Sequence, residues 1–259
     1  MVVDTHAHLD FPELGKDLES VLQRAERAGV RRIVTIGIDI ESSRKAVALA
    51  QAHEQIYATV GLHPHGAREL PVEVLDDFRA LASQHRVVAI GEVGLDYYRD
   101  RQPRPIQREC FAQQLELACE VGLPVVFHIR EAHEDFLSIV KGFAARLKGG
   151  ILHCFSGDWA VAGRCLDLGF FLSIPGTVTY NKAQVQQDVV KKAPLNRLLV
   201  ETDAPFLAPV PFRGKDNEPS YVIYTVQKIA QLRECPYEEV ALRTSENAVF
   251  AFGLDLSRS

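Results

Sequence analysis

The sequence predicts an α/β fold, a single (β/α)8 TIM barrel with one extra helix toward its C-terminal end, and three observations lead there. Short β-branched runs alternate with longer helical stretches eight times along the chain, the pattern of parallel strands joined by helical crossovers. The length of 259 residues suits a barrel, which needs roughly 250. No G-x-G-x-x-G or P-loop glycine pattern follows any strand, which disfavours the alternative of an open doubly wound sheet.

In order, the strands are expected at Val2–Thr5, Arg32–Gly37, Tyr57–Leu62, Val87–Gly91, Pro124–Phe127, Gly150–Leu152, Phe170–Ile174 and Leu198–Val200. Each is a short apolar, β-branched run bounded by polar or glycine-containing turns. Helices are expected near Leu18–Ala28, Ser43–His53, Glu73–Ser83, Gln107–Val121, Glu134–Arg146, Ala160–Leu168, Ala183–Lys192 and Ser220–Leu232. Gly29, Gly122 and Gly169 stand where a glycine just past the last turn would stop a helix. A further helix near Tyr237–Phe252 should pack outside the barrel, and the tail 255–259 should fray. No linker, repeat or low-complexity tract divides the chain, so residues 1–254 are expected to form one domain.

Composition narrows the function classes. With 47% hydrophobic and 24% charged residues the chain can bury a sizeable core. Its apolar runs are strand-sized, so no membrane span is expected, and Met1 leads directly into a strand without a signal-peptide pattern. The net charge of −5 means that bulk electrostatics recruits neither nucleic acid nor acidic lipid, and a phosphate partner must be attracted locally. Five cysteines, an odd number without C-x-x-C spacing, argue against a disulfide framework or thiolate zinc site and for a reducing cytoplasm. Cys154 beside His153 is read as a buried thiol rather than a nucleophile. No obligate protein partner is implied.

The site is read from where unusual residues fall. In a barrel the groups that do chemistry sit at the C-terminal ends of strands. The strand ends here carry His6 and His8, then His63 and His65, then Glu92 and Asp96, then His128 and Arg130, then His153, and finally Glu201 and Asp203. His6 and His8, two residues apart, share one face of a strand and can aim two imidazoles at one point. Four imidazoles (His6, His8, His128, His153) and two carboxylates (Glu92, Asp203) exceed the three protein ligands of a single catalytic zinc, so two divalent ions are expected. Glu92 is the expected bridge, with His6, His8 and Asp203 on one ion and His128 and His153 on the other. Asp203 is also placed to take the proton of the attacking water as general base. No lysine stands at a comparable strand end, so a modified lysine bridge is not supported. Nitrogen-rich ligands favour zinc or manganese, whereas magnesium prefers oxygen.

Substrate contacts are expected from His63, His65, Arg130 and Glu201. Arg130 should share the inward direction of His128 and offer a fork for phosphate. The loop Tyr97–Arg104 combines aromatics with three arginines, and Phe212-Arg213-Gly214-Lys215 adds two cations, a combination able to stack bases and neutralise a backbone.

Seven motifs in order resemble the TatD family of metal-dependent deoxyribonucleases, a branch of the amidohydrolase superfamily. They are D-T-H-A-H-L-D (Asp4–Asp10), G-L-H-P-H (Gly61–His65), A-I-G-E-V-G-L-D-Y-Y (Ala89–Tyr98), P-V-V-F-H-I-R (Pro124–Arg130), H-C-F-S-G (His153–Gly157), E-T-D-A-P (Glu201–Pro205) and R-G-K-D-N-E-P (Arg213–Pro219). The resemblance spans nearly the whole chain. It implies a TIM barrel, a divalent-metal site at His6, His8, Glu92, His128, His153 and Asp203, usually served by magnesium, and hydrolysis of DNA phosphodiesters.

The expectation is therefore a metal-dependent phosphodiesterase, a 3′-to-5′ exonuclease on single-stranded DNA or RNA. A carboxylic ester or amide hydrolase, such as a deacylase of misacylated tRNA, is the alternative, because the same water can attack a carbonyl. A non-catalytic metal-binding scaffold ranks below both, since pure binding has no need of two ions and a spare carboxylate.

Overall fold

Parallel strands sandwiched between helices and an interior are buried on both faces, and these strands are, polar site residues included. In the computed structural model, which describes residues 1–255, every residue of β1 (Val2–Ala7), β3 (Ile56–Val60), β4 (Val87–Asp96), β6 (Gly150–Leu152), β7 (Phe171–Ile174) and β8 (Leu198–Val200) is buried. With β2 (Val30–Ile36) and β5 (Val125–Arg130) they form one eight-stranded sheet whose strand order follows the chain. The helices between them are α1 (Pro12–Gly15), α2 (Leu18–Arg27), α3 (Ile40–Ala52), α4 (Val72–Ala82), α5 (Arg104–Val121), α6 (His133–Lys141), α7 (Trp159–Asp167) and α8 (Gln184–Lys192), followed after β8 by α9 (Val222–Arg233) and α10 (Tyr237–Phe252). The fold class is the (β/α)8 barrel with its added C-terminal helix.

Contacts group the chain into two compact units, residues 1–35, 154–166 and 171 onward in the first and 36–153 with 167–170 in the second. In the first unit β1 pairs with β2 and β7 with β8, both parallel. The Thr5 hydroxyl lies 2.9 Å from the Ser173 hydroxyl and donates to the Val200 carbonyl at 3.0 Å, tying β1 to the β7–β8 pair. In the second unit β3, β4, β5 and β6 pair in succession, all parallel. Its core is aromatic: Phe127 packs against Phe111, Phe136 and Phe170 with ring centroids 6.0, 5.0 and 5.4 Å away, within the range that favours edge-on or offset ring pairs.

Helix boundaries follow local chemistry. The Asp39 side chain accepts from the Ser42 amide while the Ser42 hydroxyl accepts from the Asp39 amide. This reciprocal cap starts α3 at Ile40, ahead of the expected Ser43. Pro103 and Pro105 start α5, and Gly122, at φ +65°, stops it where a residue with a Cβ would be strained. α6 ends at Lys141, with Gly142 as its cap, five residues short of the expected Arg146.

Three strands run further than expected at their C-terminal ends, and each of these extensions carries site residues. β1 continues through His6 to Ala7, because Ala7 pairs with Thr35 and with Ala204. β4 continues from Gly91 to Asp96 as Val93 to Asp96 pair in register with Phe127 to Arg130 of β5. β5 accordingly includes His128 and Arg130. Asp255 apart, the tail expected to fray lies outside the described residues. No helix among the described residues is long and apolar enough to cross a membrane.

Candidate metal centre

In the first unit the pleat and the loop after β8 bring His6, His8 and Asp203 together. Nε2 of His6 and Nε2 of His8 lie 3.6 and 3.4 Å from Asp203 Oδ1. One ligand atom from each of the three lies within 4.8 Å of the others, so one ion can reach all of them. The backbone fixes this approach: the Asp203 amide donates to the His6 carbonyl at 2.9 Å and the His8 amide to the Ala204 carbonyl at 2.7 Å. Asp203 sits in the left-handed region at φ +57°, which costs an L-residue roughly 1–2 kcal/mol and which Asp tolerates better than most. Behind it, Asp4 is fully buried and accepts from the Thr202 hydroxyl at 2.6 Å, the Thr202 amide at 2.9 Å and the His6 amide at 3.3 Å. Burial pushes the Asp4 carboxyl up to about 8, against the opposing pull of the Thr202 hydrogen bonds. Glu201, also buried, accepts from the Cys154 amide at 2.7 Å.

In the second unit the centre is Glu92, 2% exposed on β4. Its Oε1 lies 2.6 Å from His128 Nδ1, 3.5 Å from His153 Nε2 and 3.6 Å from His63 Nε2. Donor atoms of His63, Glu92 and His128 lie within 4.8 Å of one another. The other face of His128 meets Asp96, 1% exposed, whose Oδ2 is 3.2 Å from His128 Nε2 and 2.8 Å from His65 Nε2. Asp96 Oδ1 accepts from the amides of Tyr98 and Arg99 at 3.0 and 2.8 Å. Burial alone would raise this carboxyl, but the bonds from His128, Arg99 and His65 hold it well below the usual carboxylate range. Burial likewise opposes protonation of His128, and Asp96 with Glu92 outweighs it, so the His128 pKa is raised. His65 shifts the other way, lowered by its burial.

Gly94 makes the approach of β4 to His128 possible. At φ +149°, a Cβ there would stand 2.1 Å from the His128 carbonyl oxygen. Arg130, on the strand of His128, lays its guanidinium 4.1 Å from the centroid of the Tyr98 ring.

The six expected ligands thus fall into two groups, His6, His8 and Asp203 in one unit and Glu92, His128 and His153 in the other. His63, expected to touch substrate or water, stands as near Glu92 as His153 does. Asp96, to which the sequence reading gives no role, is the added residue. Its signal was present in the strand period: Glu92 and Asp96 are four apart on β4 and share a face, but the expected strand stops at Gly91 and so gives that period no register.

Both donor sets suit a divalent cation. Two imidazoles with a carboxylate form a common three-ligand set for a catalytic zinc, with room left for water or substrate. The set of His63, Glu92 and His128, whose donors also lie within 4.8 Å of one another, is of the same kind, with His153 a further imidazole 3.5 Å from Glu92.

A parallel β/α barrel with imidazole and carboxylate clusters at its strand ends is the build of a metal-dependent hydrolase. The family model for the TatD related DNase matches residues 3–253, and the chain belongs to the TatD family. It is 46% identical over 255 residues to the uncharacterized metal-dependent hydrolase YabD of Bacillus subtilis, covering 98% of this chain and all of that one. It is 38% identical over 257 residues to the 3′-5′ ssDNA/RNA exonuclease TatD of Erwinia amylovora, covering 97% and 99%. Among solved structures it superimposes on YJJV, a TatD homologue from Escherichia coli K12, with a TM-score of 0.92 at 34% identity over 98% of each chain.

Proposed function

We propose that this metal-dependent hydrolase is a nuclease that trims single-stranded DNA or RNA from the 3′ end. The observation that carries the reading is the convergence of His6, His8 and Asp203 donors within 4.8 Å. The Erwinia relative's exonuclease name supports the choice of substrate. We assign one divalent ion to the His6, His8 and Asp203 group and one to the Glu92, His128 and His153 group, with His63 as a further donor beside Glu92. Bound there, such ions polarise the phosphoryl group and lower the pKa of a water.

The residues then divide the work. Asp203, whose Oδ1 faces both His6 and His8, accepts the proton of the attacking water with its other carboxylate oxygen. The backbone bonds from Asp203 to His6 and from His8 to Ala204 hold that geometry before substrate arrives. Glu92 holds His128 and His153 around its Oε1. Arg130, exposed at the end of β5, meets the phosphate backbone. His65, engaged by Asp96, and Glu201, engaged by the Cys154 amide, stay with His63 among the proposed substrate contacts. All five cysteines are free, which suits a reducing cytoplasm.

The test is metal-stripped protein restored separately with magnesium, manganese or zinc and given end-labelled single-stranded and duplex oligonucleotides, with Asp203→Asn alongside. A metal-dependent ladder shortening from the 3′ end and missing in the variant supports the proposal and names the ion. DNA and RNA left intact under every metal would refute it, and release of the amino acid from an aminoacyl-tRNA would then identify an ester hydrolase.

A further inference from the structure

We propose that Tyr98, backed by Arg130, is a stacking subsite for one nucleobase of a single-stranded substrate, anchored to the imidazole cluster through Asp96. The inference rests on the nuclease reading above and adds the group that the enzyme grips beside the phosphate.

The argument begins with an exposed ring in a loop that is otherwise tightly held. Tyr98 is 54% exposed, while its own amide donates to Asp96 Oδ1 at 3.0 Å and the next amide, of Arg99, does so at 2.8 Å. The loop is further fixed by Gln107, whose side chain accepts from the Asp96 amide at 2.8 Å and donates to the Gln102 carbonyl at 2.8 Å. A fixed aromatic ring presents its face with little left to order on binding.

The position of this ring is tied to the chemistry. The carboxylate that holds the Tyr98 amide with one oxygen meets His128 and His65 with the other, at 3.2 and 2.8 Å. Arg130, two residues beyond His128 on the same strand, packs its guanidinium 4.1 Å from the Tyr98 centroid, and the Arg99 guanidinium lies 5.7 Å from it. Two cations at an aromatic ring polarise it and leave guanidinium N–H groups free for phosphate oxygens.

Neighbouring Tyr97 also carries a guanidinium over its ring, that of Arg104, but it is half-buried and its hydroxyl donates to Asp135 at 2.6 Å, whereas Tyr98 is exposed. Tyr97 is therefore structural, and Tyr98 is the aromatic offered to a ligand. An unpaired base supplies the flat, weakly hydrated face that such a ring accepts, whatever its identity, whereas a base inside a duplex is already stacked.

The experiment measures kcat and KM on end-labelled oligonucleotides carrying a single abasic residue moved through the last four 3′ positions, using metal-loaded wild type, Tyr98→Leu and Tyr98→Phe. Loss of one base stack corresponds to about 5- to 150-fold. Tyr98→Leu should raise KM by that factor on the intact strand with kcat nearly unchanged, and Tyr98→Phe should behave as wild type. One abasic position should impose the same penalty on wild type and no further penalty on Tyr98→Leu, because the two changes remove the same contact. If the penalties of Tyr98→Leu and of every abasic position simply multiply, or Tyr98→Leu matches wild type, the subsite is refuted while the nuclease reading stands. If wild type acts on no strand with any of the three metals, the nuclease reading itself falls and takes the subsite with it.

Discussion

Replacing Asp96 by asparagine isolates what this carboxylate does for the imidazoles. Asp96 Oδ2 lies 3.2 Å from His128 Nε2, while His128 Nδ1 lies 2.6 Å from Glu92 Oε1. An ionised Asp96 accepts a hydrogen bond from Nε2–H of His128 and so leaves the Nδ1 lone pair turned toward the Glu92 group, where an ion would take it. The same Oδ2 also accepts from His65 Nε2 at 2.8 Å. An asparagine can keep its oxygen on the Tyr98 and Arg99 amides, but its NH2 then faces two imidazole nitrogens as a donor. His128 relieves the clash by moving its proton to Nδ1, which removes the lone pair the ion needs. Loss of such a carboxylate partner typically costs 10–100-fold in metal affinity, about 1.4–2.7 kcal/mol. Competition with a chelating indicator dye measures it for manganese or zinc, and a thermal melt in chelator checks that the metal-free fold is intact. Affinity at the proposed site around Glu92 and His128 should weaken by that factor, with the proposed His6, His8 and Asp203 site unchanged. Metal affinities within twofold of wild type at both sites, with an unaltered melt, would refute the assignment of Asp96 as the residue that positions His128.

Three further outcomes follow from the same geometry. Because the His128 pKa is raised in the metal-free protein, a proton competes with the ion: metal affinity at this group should fall about tenfold per pH unit below the raised value and level off above it, as dye titrations from pH 5 to 9 would read. In the metal-free protein the same shift favours folding below the unfolded histidine value and stops doing so as pH rises through the raised one. Asp4 is perturbed in the opposite sense to a salt-bridged carboxylate. Its pKa of about 8 means that the fold disfavours the charged form, so its contribution to stability declines as pH climbs from about 4 to 8. Asp4→Asn keeps an oxygen for the Thr202 and His6 amides and should gain on wild type across that window in urea melts of chelated protein; parallel curves would exclude a neutral Asp4. Gly94→Ala would force a Cβ to 2.1 Å from the His128 carbonyl at a φ that alanine avoids. Overpacking and strain each cost about 1–3 kcal/mol, so calorimetry should find Tm lower by roughly 5–15 °C, with the largest loss of metal affinity at the Glu92 group.

The sequence made the barrel and most of the candidate centre legible because their causes are local or periodic. Eight buried, β-branched runs mark strands, and His6 and His8 declare a shared face by their spacing alone. Strand ends were harder, since they depend on partners. β4 reaches Asp96 only because β5 supplies a register for Val93 through Asp96, and a stretch with two glycines carries no strand propensity of its own. Asp96 was visible at that strand end but had no role, although its four-residue spacing from Glu92 places both carboxylates on one face. Once the strand is extended, the face explains more than a ligand list does. Glu92 meets Nδ1 of His128 and Asp96 meets its Nε2, while Gly94 between them gives the backbone of that histidine room to approach. A glycine that looked like a loop signal is the residue that lets two carboxylates grip one imidazole from opposite ends. The direction of Arg130 was likewise beyond a period-two argument. It shares the parity of His128, yet the loop held by Asp96 offers it the Tyr98 ring, and cation–π attraction draws the guanidinium there. Strand parity fixes where a long side chain starts, and the neighbouring loop decides where its charge ends.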